Sequence, residues 1–109
     1  MNIEFHTPHG EVKEWVINYV KDELIELYHR DNEIKRAEVY FNEQTDGLTR
    51  YQVCEIDLAI YGEMLIVERK ADSYDQAVRD ALKELSEKVD EQIRIRNRLL
   101  DEITSTVKV

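Results

Sequence analysis

The sequence predicts an α+β fold: β-α-β-β-β-α, a four-stranded, mainly antiparallel sheet with two helices packed on one face. Three observations carry that reading. Apolar residues recur at helical spacing in two stretches, one between residues 12 and 28 and a longer one from Asp72 to about Thr104. Between those stretches, apolar and polar residues alternate with the period of a strand. The turn signals Thr45-Asp46-Gly47 and Gly62-Glu63 cut the alternating region into a meander.

The elements follow in order. From Asn2 to Thr7, Ile3 and Phe5 point one way and Asn2, Glu4 and His6 the other, as in a short strand. Thr7-Pro8 has the form of a helix start, which Gly10 shifts toward Glu11. Val12, Trp15, Val16, Tyr19, Val20, Leu24, Leu27 and Tyr28 then form a wide apolar stripe, ending near Arg30 at the turn Asp31-Asn32-Glu33. In the second strand, Ile34 to Gln44, one face is Ala37, Val39 and Phe41 and the other is Arg36, Glu38, Tyr40 and Asn42. In the third, Val53 to Tyr61, Cys54, Ile56, Leu58 and Ile60 alternate with Val53, Glu55, Asp57, Ala59 and Tyr61. The fourth runs from Met64 to Ala71, with Leu65 and Val67 inward. The last helix has no Gly or Pro, and Asp72 or Ser73 is placed to cap it. At roughly 30 residues and 45 Å, it is longer than a core of this size can cover, since a 100-residue domain has a radius of gyration near 13 Å. Its first half closes the core; its last turns project or find a partner. The expected core is Ile3, Phe5, Val16, Val20, Leu24, Val39, Phe41, Ile56, Leu58, Val67, Ala81 and Leu85.

Composition narrows the function classes. With 109 residues the chain is one domain with one core, and 42% hydrophobic residues are enough to fold it. A single cysteine excludes an internal disulfide, and no apolar run is long enough to span a membrane, so a cytoplasmic protein is expected. The formal net charge of −9 repels nucleic acid unless basic residues are segregated.

No catalytic constellation stands out, and neither a cofactor nor a small-molecule substrate is expected. His6 and His9 are three apart, a spacing compatible with a metal pair, but without a third aligned ligand they read as plain polar residues. His29 suits the C-terminal end of the first helix. Cys54 lies in the inward row of the third strand and reads as a small buried hydrophobe rather than a nucleophile. Glu55 and Asp57 share the open face, either as paired carboxylates or as solvated charge. Gly10, Gly47 and Gly62 are isolated turn residues, so no phosphate-cradling loop is present. Tyr40 and Tyr61, read as open-face residues, either stack on bases or shield the sheet.

Several stretches together resemble a known family. Tyr19-Val20-Lys21-Asp22-Glu23-Leu24-Ile25-Glu26-Leu27 resembles the first-helix pattern YVxxxLxxL of the ribosome hibernation promoting factors, also called ribosome-associated inhibitors or sigma-54 modulation proteins. Ile34 with Ala37-Glu38-Val39-Tyr40-Phe41 is similar to that family's second strand. Tyr61-Gly62-Glu63-Met64-Leu65-Ile66-Val67 is similar to its third turn and fourth strand. Asp72-Ser73-Tyr74, with Ala77-Val78, Ala81-Leu82 and Leu85, resembles the opening of its last helix. The resemblance, to the short form, covers nearly all of residues 1–93; residues 94–109 then form a helical extension and tail. It implies a fold similar to a double-stranded-RNA-binding domain. It also implies a non-catalytic factor that binds the small ribosomal subunit (16S rRNA) across the mRNA and tRNA channel and blocks translation in dormancy.

The charge pattern departs from that family. Where its members carry Lys or Arg, this chain has Asp22, Glu23 and Glu26 in the first helix and Glu84, Glu87, Asp90 and Glu91 in the last. Residues 1–93 hold 11 Lys or Arg against 22 Asp or Glu. Replacing a phosphate-binding cation by an anion removes counterion release and adds repulsion. The remaining RNA-binding candidates are Lys35, Arg36 and Arg50 near strand ends, Arg79 and Lys83 on the last helix, and Arg94, Arg96 and Arg98 beyond residue 93. For Arg79 and Lys83, pairing with Asp75, Asp80 or Glu87 along the helix is the reading preferred over phosphate contact. Two readings therefore stand: a charge-divergent ribosome binder, or an acidic protein-interaction module of the same fold that has lost rRNA binding.

The end of the last helix carries one more pattern. Leu85, Val89, Gln92, Arg96, Leu99 and Ile103 have the alternating four-and-three spacing of a coiled-coil seam. Leu99, Leu100 and Ile103 lie too far along a straight helix to reach the core, which makes them candidates for a homodimer interface. A frayed tail is the competing reading, since Ser105-Thr106-Val107-Lys108-Val109 holds poor helix formers.

Overall fold

The computed structural model describes the backbone of residues 1–7 and 12–107, with side chains in that set up to Leu99. The elements are β1 (Asn2–His6), α1 (Glu14–Arg30), β2 (Ile34–Asp46), β3 (Thr49–Ile60), β4 (Glu63–Ala71) and α2 (Tyr74–Val107). The sheet order is β1-β2-β3-β4, with β1–β2 parallel and the other two pairs antiparallel. A parallel pair needs a crossover, and α1 supplies it. The proposed start of the first helix at Thr7-Pro8 lies mostly outside the described residues; the described helix begins at Glu14.

The inward rows close one core. Ala37, Val39 and Phe41 from β2 and Cys54, Ile56, Leu58 and Ile60 from β3 are buried, as is Val67 from β4. Val16, Val20, Leu24 and Leu27 cover them from α1, and Ala77, Val78, Ala81, Leu85 and Val89 from α2. Phe41 meets Tyr74 edge-on, with ring centroids 5.5 Å apart. Ile3 and Phe5 are only half-buried, because β1 is an edge strand packed against the rim of the core.

Two expectations change. Trp15 and Tyr19 do not belong to the buried stripe: they are 49% and 36% exposed. The stripe that reaches the sheet is the narrower set Val16, Val20, Leu24 and Leu27, and one residue earlier on a helix is rotated about 100° away from it. Nor is Tyr61 an open-face residue. It sits in the β3–β4 turn with φ +54, next to Gly62 at φ +75, and this pair of left-handed residues makes a two-residue hairpin turn. That geometry turns its ring against the helix side, where its hydroxyl donates to Asp31 Oδ2. Asp31, buried at the end of α1, also accepts from the Glu33 backbone N–H at 3.0 Å. One carboxylate thus joins the end of α1, the entry to β2 and the β3–β4 turn.

The start of α2 is capped as its sequence indicates: Ser73 Oγ accepts from the Gln76 N–H at 3.4 Å. Hydrogen bonding from Ser73 also lowers the Asp75 pKa. The length of α2 dominates the shape, which extends 65 × 28 × 18 Å. Beyond Ile93 it leaves the sheet, and Ile95 and Leu99 are exposed.

Candidate nucleic-acid interface

The basic candidates do not converge on one patch. Lys35 and Arg36 stand at the start of β2 and Arg50 near the far tip of the β2–β3 hairpin. Each lies against a carboxylate: Lys35 Nζ is 4.0 Å from Glu33, Arg36 is 4.0 Å from Glu38, and Arg50 Nε is 4.0 Å from Glu43. Arg94 pairs with Glu91 one turn back on the helix. Arg96, though exposed, turns back onto the β3–β4 turn instead. Its guanidinium lies 4.2 Å from the centre of the Tyr61 ring and donates to the Tyr61 carbonyl at 3.5 Å. It anchors the extension to the β3–β4 turn, so the seam position at residue 96 is used within the chain. Arg98 is exposed. The side chains of Leu100 and Ile103 lie outside the described residues; Leu99 is 47% exposed.

Arg79 and Lys83 occupy a different setting. They line an open groove of about 400 Å³ between the helices, with Tyr19, Leu82, Glu23 and Glu87. Trp15, one turn before Tyr19, lines the neighbouring depression with Lys13 and Gln52. Exposed aromatic faces beside two cations one turn apart form the arrangement most suited to a nucleic-acid strand, because rings stack on bases while cations meet phosphates. The sequence points to Arg79 and Lys83, and it places Tyr19 and Trp15 only in the apolar stripe of α1, without a role at the surface. The signal available was the width of the α1 stripe, too broad for every member to face inward.

The open face of the sheet has the opposite character. Cross-strand register places Glu4, Glu38 and Asp57 in one row and His6, Tyr40, Glu55 and Glu68 in the next. Burial, then a shared hydrogen bond and charge repulsion from Asp57 and Glu68, pushes the Glu55 carboxyl up to about 7. Tyr40 stays on this face; it stacks on His6 at 4.5 Å, and its pKa is raised by burial and by Glu38. Cys54, beneath this layer, is pushed up to about 12 by burial, which keeps it a thiol and not a nucleophile. His9, the other half of the histidine pair, lies outside the described residues.

What results is a mixed four-stranded sheet with one face covered by two helices and the other acidic. The same fold occurs in the Thermus thermophilus Protein Y N-terminal domain, with 22% identity, a TM-score of 0.68, and 84% of this chain and 98% of that one covered. It occurs also in a ribosomal subunit interface protein from Coxiella burnetii, with 12% identity, a TM-score of 0.72, and 86% and 99% covered. No protein-family model and no curated protein matches the sequence. At these identities the likeness shows the fold, and that fold is the one implied by the resemblance to the hibernation factors. Among the described residues no helix is long and apolar enough to cross a membrane.

Proposed function

We propose that this protein is a ribosome-associated, hibernation-type inhibitor of translation that acts in the cytoplasm by binding the small subunit, without catalysis. The observation that carries the reading is the fold match over nearly the whole length of a protein named for the ribosomal subunit interface. The groove of Tyr19, Arg79 and Lys83 supplies a contact surface on the helix side, and Arg98 adds a further cation. The carboxylates that pair with Lys35, Arg36, Arg50 and Arg94 do not forbid this. Exposed pairs of this kind contribute about 0–1 kcal/mol, so a phosphate can displace them. The acidic open face must then point away from rRNA.

Co-sedimentation with small subunits on sucrose gradients across a salt series tests the proposal. A small-subunit peak that fades with salt supports it, and free protein at every salt concentration refutes it. Replacing Arg79 and Lys83 with Gln should weaken binding and reduce the salt slope by about one per lost phosphate contact. Replacing Arg94, Arg96 and Arg98 together tests the extension in the same way, and unchanged affinity there confines the contact to the groove.

The second reading, an acidic protein-interaction module, is favoured by the open face alone, where Glu4, Glu38, Glu55, Asp57 and Glu68 gather. It predicts free protein in the gradient and capture by a basic protein instead. In either reading we propose that the extension pairs with a second copy, because Ile95 and Leu99, 40% and 47% exposed, form a one-turn apolar pair. Sedimentation equilibrium of the intact chain and of Leu99→Asp tests this; two monomers at tens of micromolar would sink it.

A further inference from the structure

The parallel pairing of β1 and β2 sets Glu4 opposite Glu38 and His6 opposite Tyr40. Because residues two apart on a strand share a face, Glu4, His6 and Glu38 all stand on the open side of the sheet. One ligating atom from each lies within 4.8 Å of the others. His6 Nε2 is 3.9 Å from Glu4 Oε2 and 3.9 Å from Glu38 Oε1, beyond hydrogen-bond reach. That nitrogen is closed off from solvent and has no hydrogen-bond partner. A shielded nitrogen without a partner is costly, and a cation bound there, a metal ion or a proton, would draw in the two carboxylate oxygens it faces, although the His6 side chain as a whole is 41% exposed.

The surroundings divide the labour within Glu38. Its Oε1 faces His6, while its Oε2 accepts from the Tyr40 hydroxyl at 3.3 Å and lies 4.0 Å from Arg36. The Tyr40 ring also stacks on the imidazole, with an interplanar angle of 11°. One tyrosine therefore fixes both the plane of the histidine and the orientation of the carboxylate, the kind of outer support that metal ligands require.

We propose that Glu4, His6 and Glu38 bind a divalent transition-metal ion of the zinc class, in an open three-ligand site on the exposed face of the sheet. One imidazole with two carboxylates suits zinc and its neighbours; calcium and magnesium favour all-oxygen sets. Bonds of about 2.0–2.1 Å in tetrahedral geometry set ligand atoms about 3.3 Å apart. The 3.9 Å separations must therefore shorten by about half an ångström; Glu4 and His6, with side chains 51% and 41% exposed, have the freedom to close onto the more enclosed Glu38. Asp57, opposite Glu38 on β3, leaves Oδ1 buried and unpartnered and adds negative charge beside the ion. The site lies on the face of the sheet away from Arg79 and Lys83 and stands or falls independently of ribosome binding. It differs from the histidine pair raised by the sequence, because Glu4 of the same strand and Glu38 of the neighbouring strand take the place of His9.

Titration of the chelator-treated full chain with zinc chloride, followed by calorimetry and by nitrogen NMR of the imidazoles, tests the proposal. The expected result is one equivalent bound, with the His6 Nε2 resonance shifted and the other histidines unmoved. His6→Gln and Glu38→Gln should each lower affinity by about tenfold or more, and Tyr40→Phe by less. Glu4→Gln, at an exposed edge position, gives the same test with no burden on folding. Cys54→Ser and His9→Gln should bind as the parent does. Absence of a one-equivalent event overturns the proposal, as does binding that survives His6→Gln or is lost in His9→Gln. A His6 that responds to pH but not to zinc also overturns it, since a proton then fills the place assigned to the metal.

Discussion

Along β3, Cys54, Ile56 and Leu58 are sealed beneath the helices, while Glu55 and Asp57, interleaved with them, look outward onto Glu38 and Glu68. The same backbone thus carries a face where every neighbour is attractive and a face where neighbours repel. The outer face tolerates its crowding because the inner face fixes the strands regardless. Deleting one buried leucine costs about 2–5 kcal/mol, well above the fraction of a kcal/mol that like charges directly opposite on a sheet exert. Register, and with it the position of every outward carboxylate, is set from within.

The largest test of that contrast is Leu58→Ala, expected to lose about 2–5 kcal/mol by urea unfolding because Leu58 is fully shielded. A change near zero would mean the burial argument fails at the centre of the inner face. Next comes Asp31→Ala, which removes the acceptor shared by the Tyr61 hydroxyl and the Glu33 N–H; the expected loss is about 1–3 kcal/mol in the same assay. On the outer face the sign reverses. Glu55 holds its proton to about pH 7, above the ordinary carboxyl value of 4.5, so its contribution to stability is complete below 4.5 and disappears as pH rises through 7. Glu55→Gln should therefore melt higher than the parent at pH 8 and nearly with it at pH 4. Parallel melting temperatures across that range would show that the carboxylates of this face do not share protons. The smallest effect is expected for Arg50→Gln, where an exposed 4.0 Å pair with Glu43 is lost; the change should stay within about 0.5 kcal/mol.

The contrast also explains what could be read from residues alone. Ala37, Val39 and Phe41 against Arg36, Glu38 and Tyr40 gave the faces of β2, because period-two alternation reports burial directly. The parallel partner of β2 was not legible: nothing local in Asn2 to His6 says which strand it joins, so the meeting of His6 with Glu38 stayed hidden. Tyr61 was misplaced because alternation was carried one residue too far, into a turn where the backbone takes a left-handed conformation. Arg96 shows the limit for charged side chains. Its sequence neighbours Arg94 and Arg98 suggest a basic cluster, whereas its partner, Tyr61, is 35 residues away. Trp15 and Tyr19 stay undistinguished within the apolar stripe of α1, because no local measure says how wide a helix face the sheet can cover.

The hold of Arg96 on Tyr61 should give the long helix a graded resistance to proteolysis. Cation–aromatic contacts at exposed sites contribute about 0.5–1 kcal/mol, little more than thermal energy, so the anchor opens often and recloses. Within α2, an arginine-specific protease should cut first after Arg98, in the exposed stretch beyond the anchor. It should reach Arg96 only during those openings, and it should leave Arg79 intact until the sheet itself unfolds, because Val78 and Ala81 beside it are sealed in the core. In Tyr61→Leu the first two cuts should merge into one phase, turning a stepwise digestion into a single early loss of the whole extension.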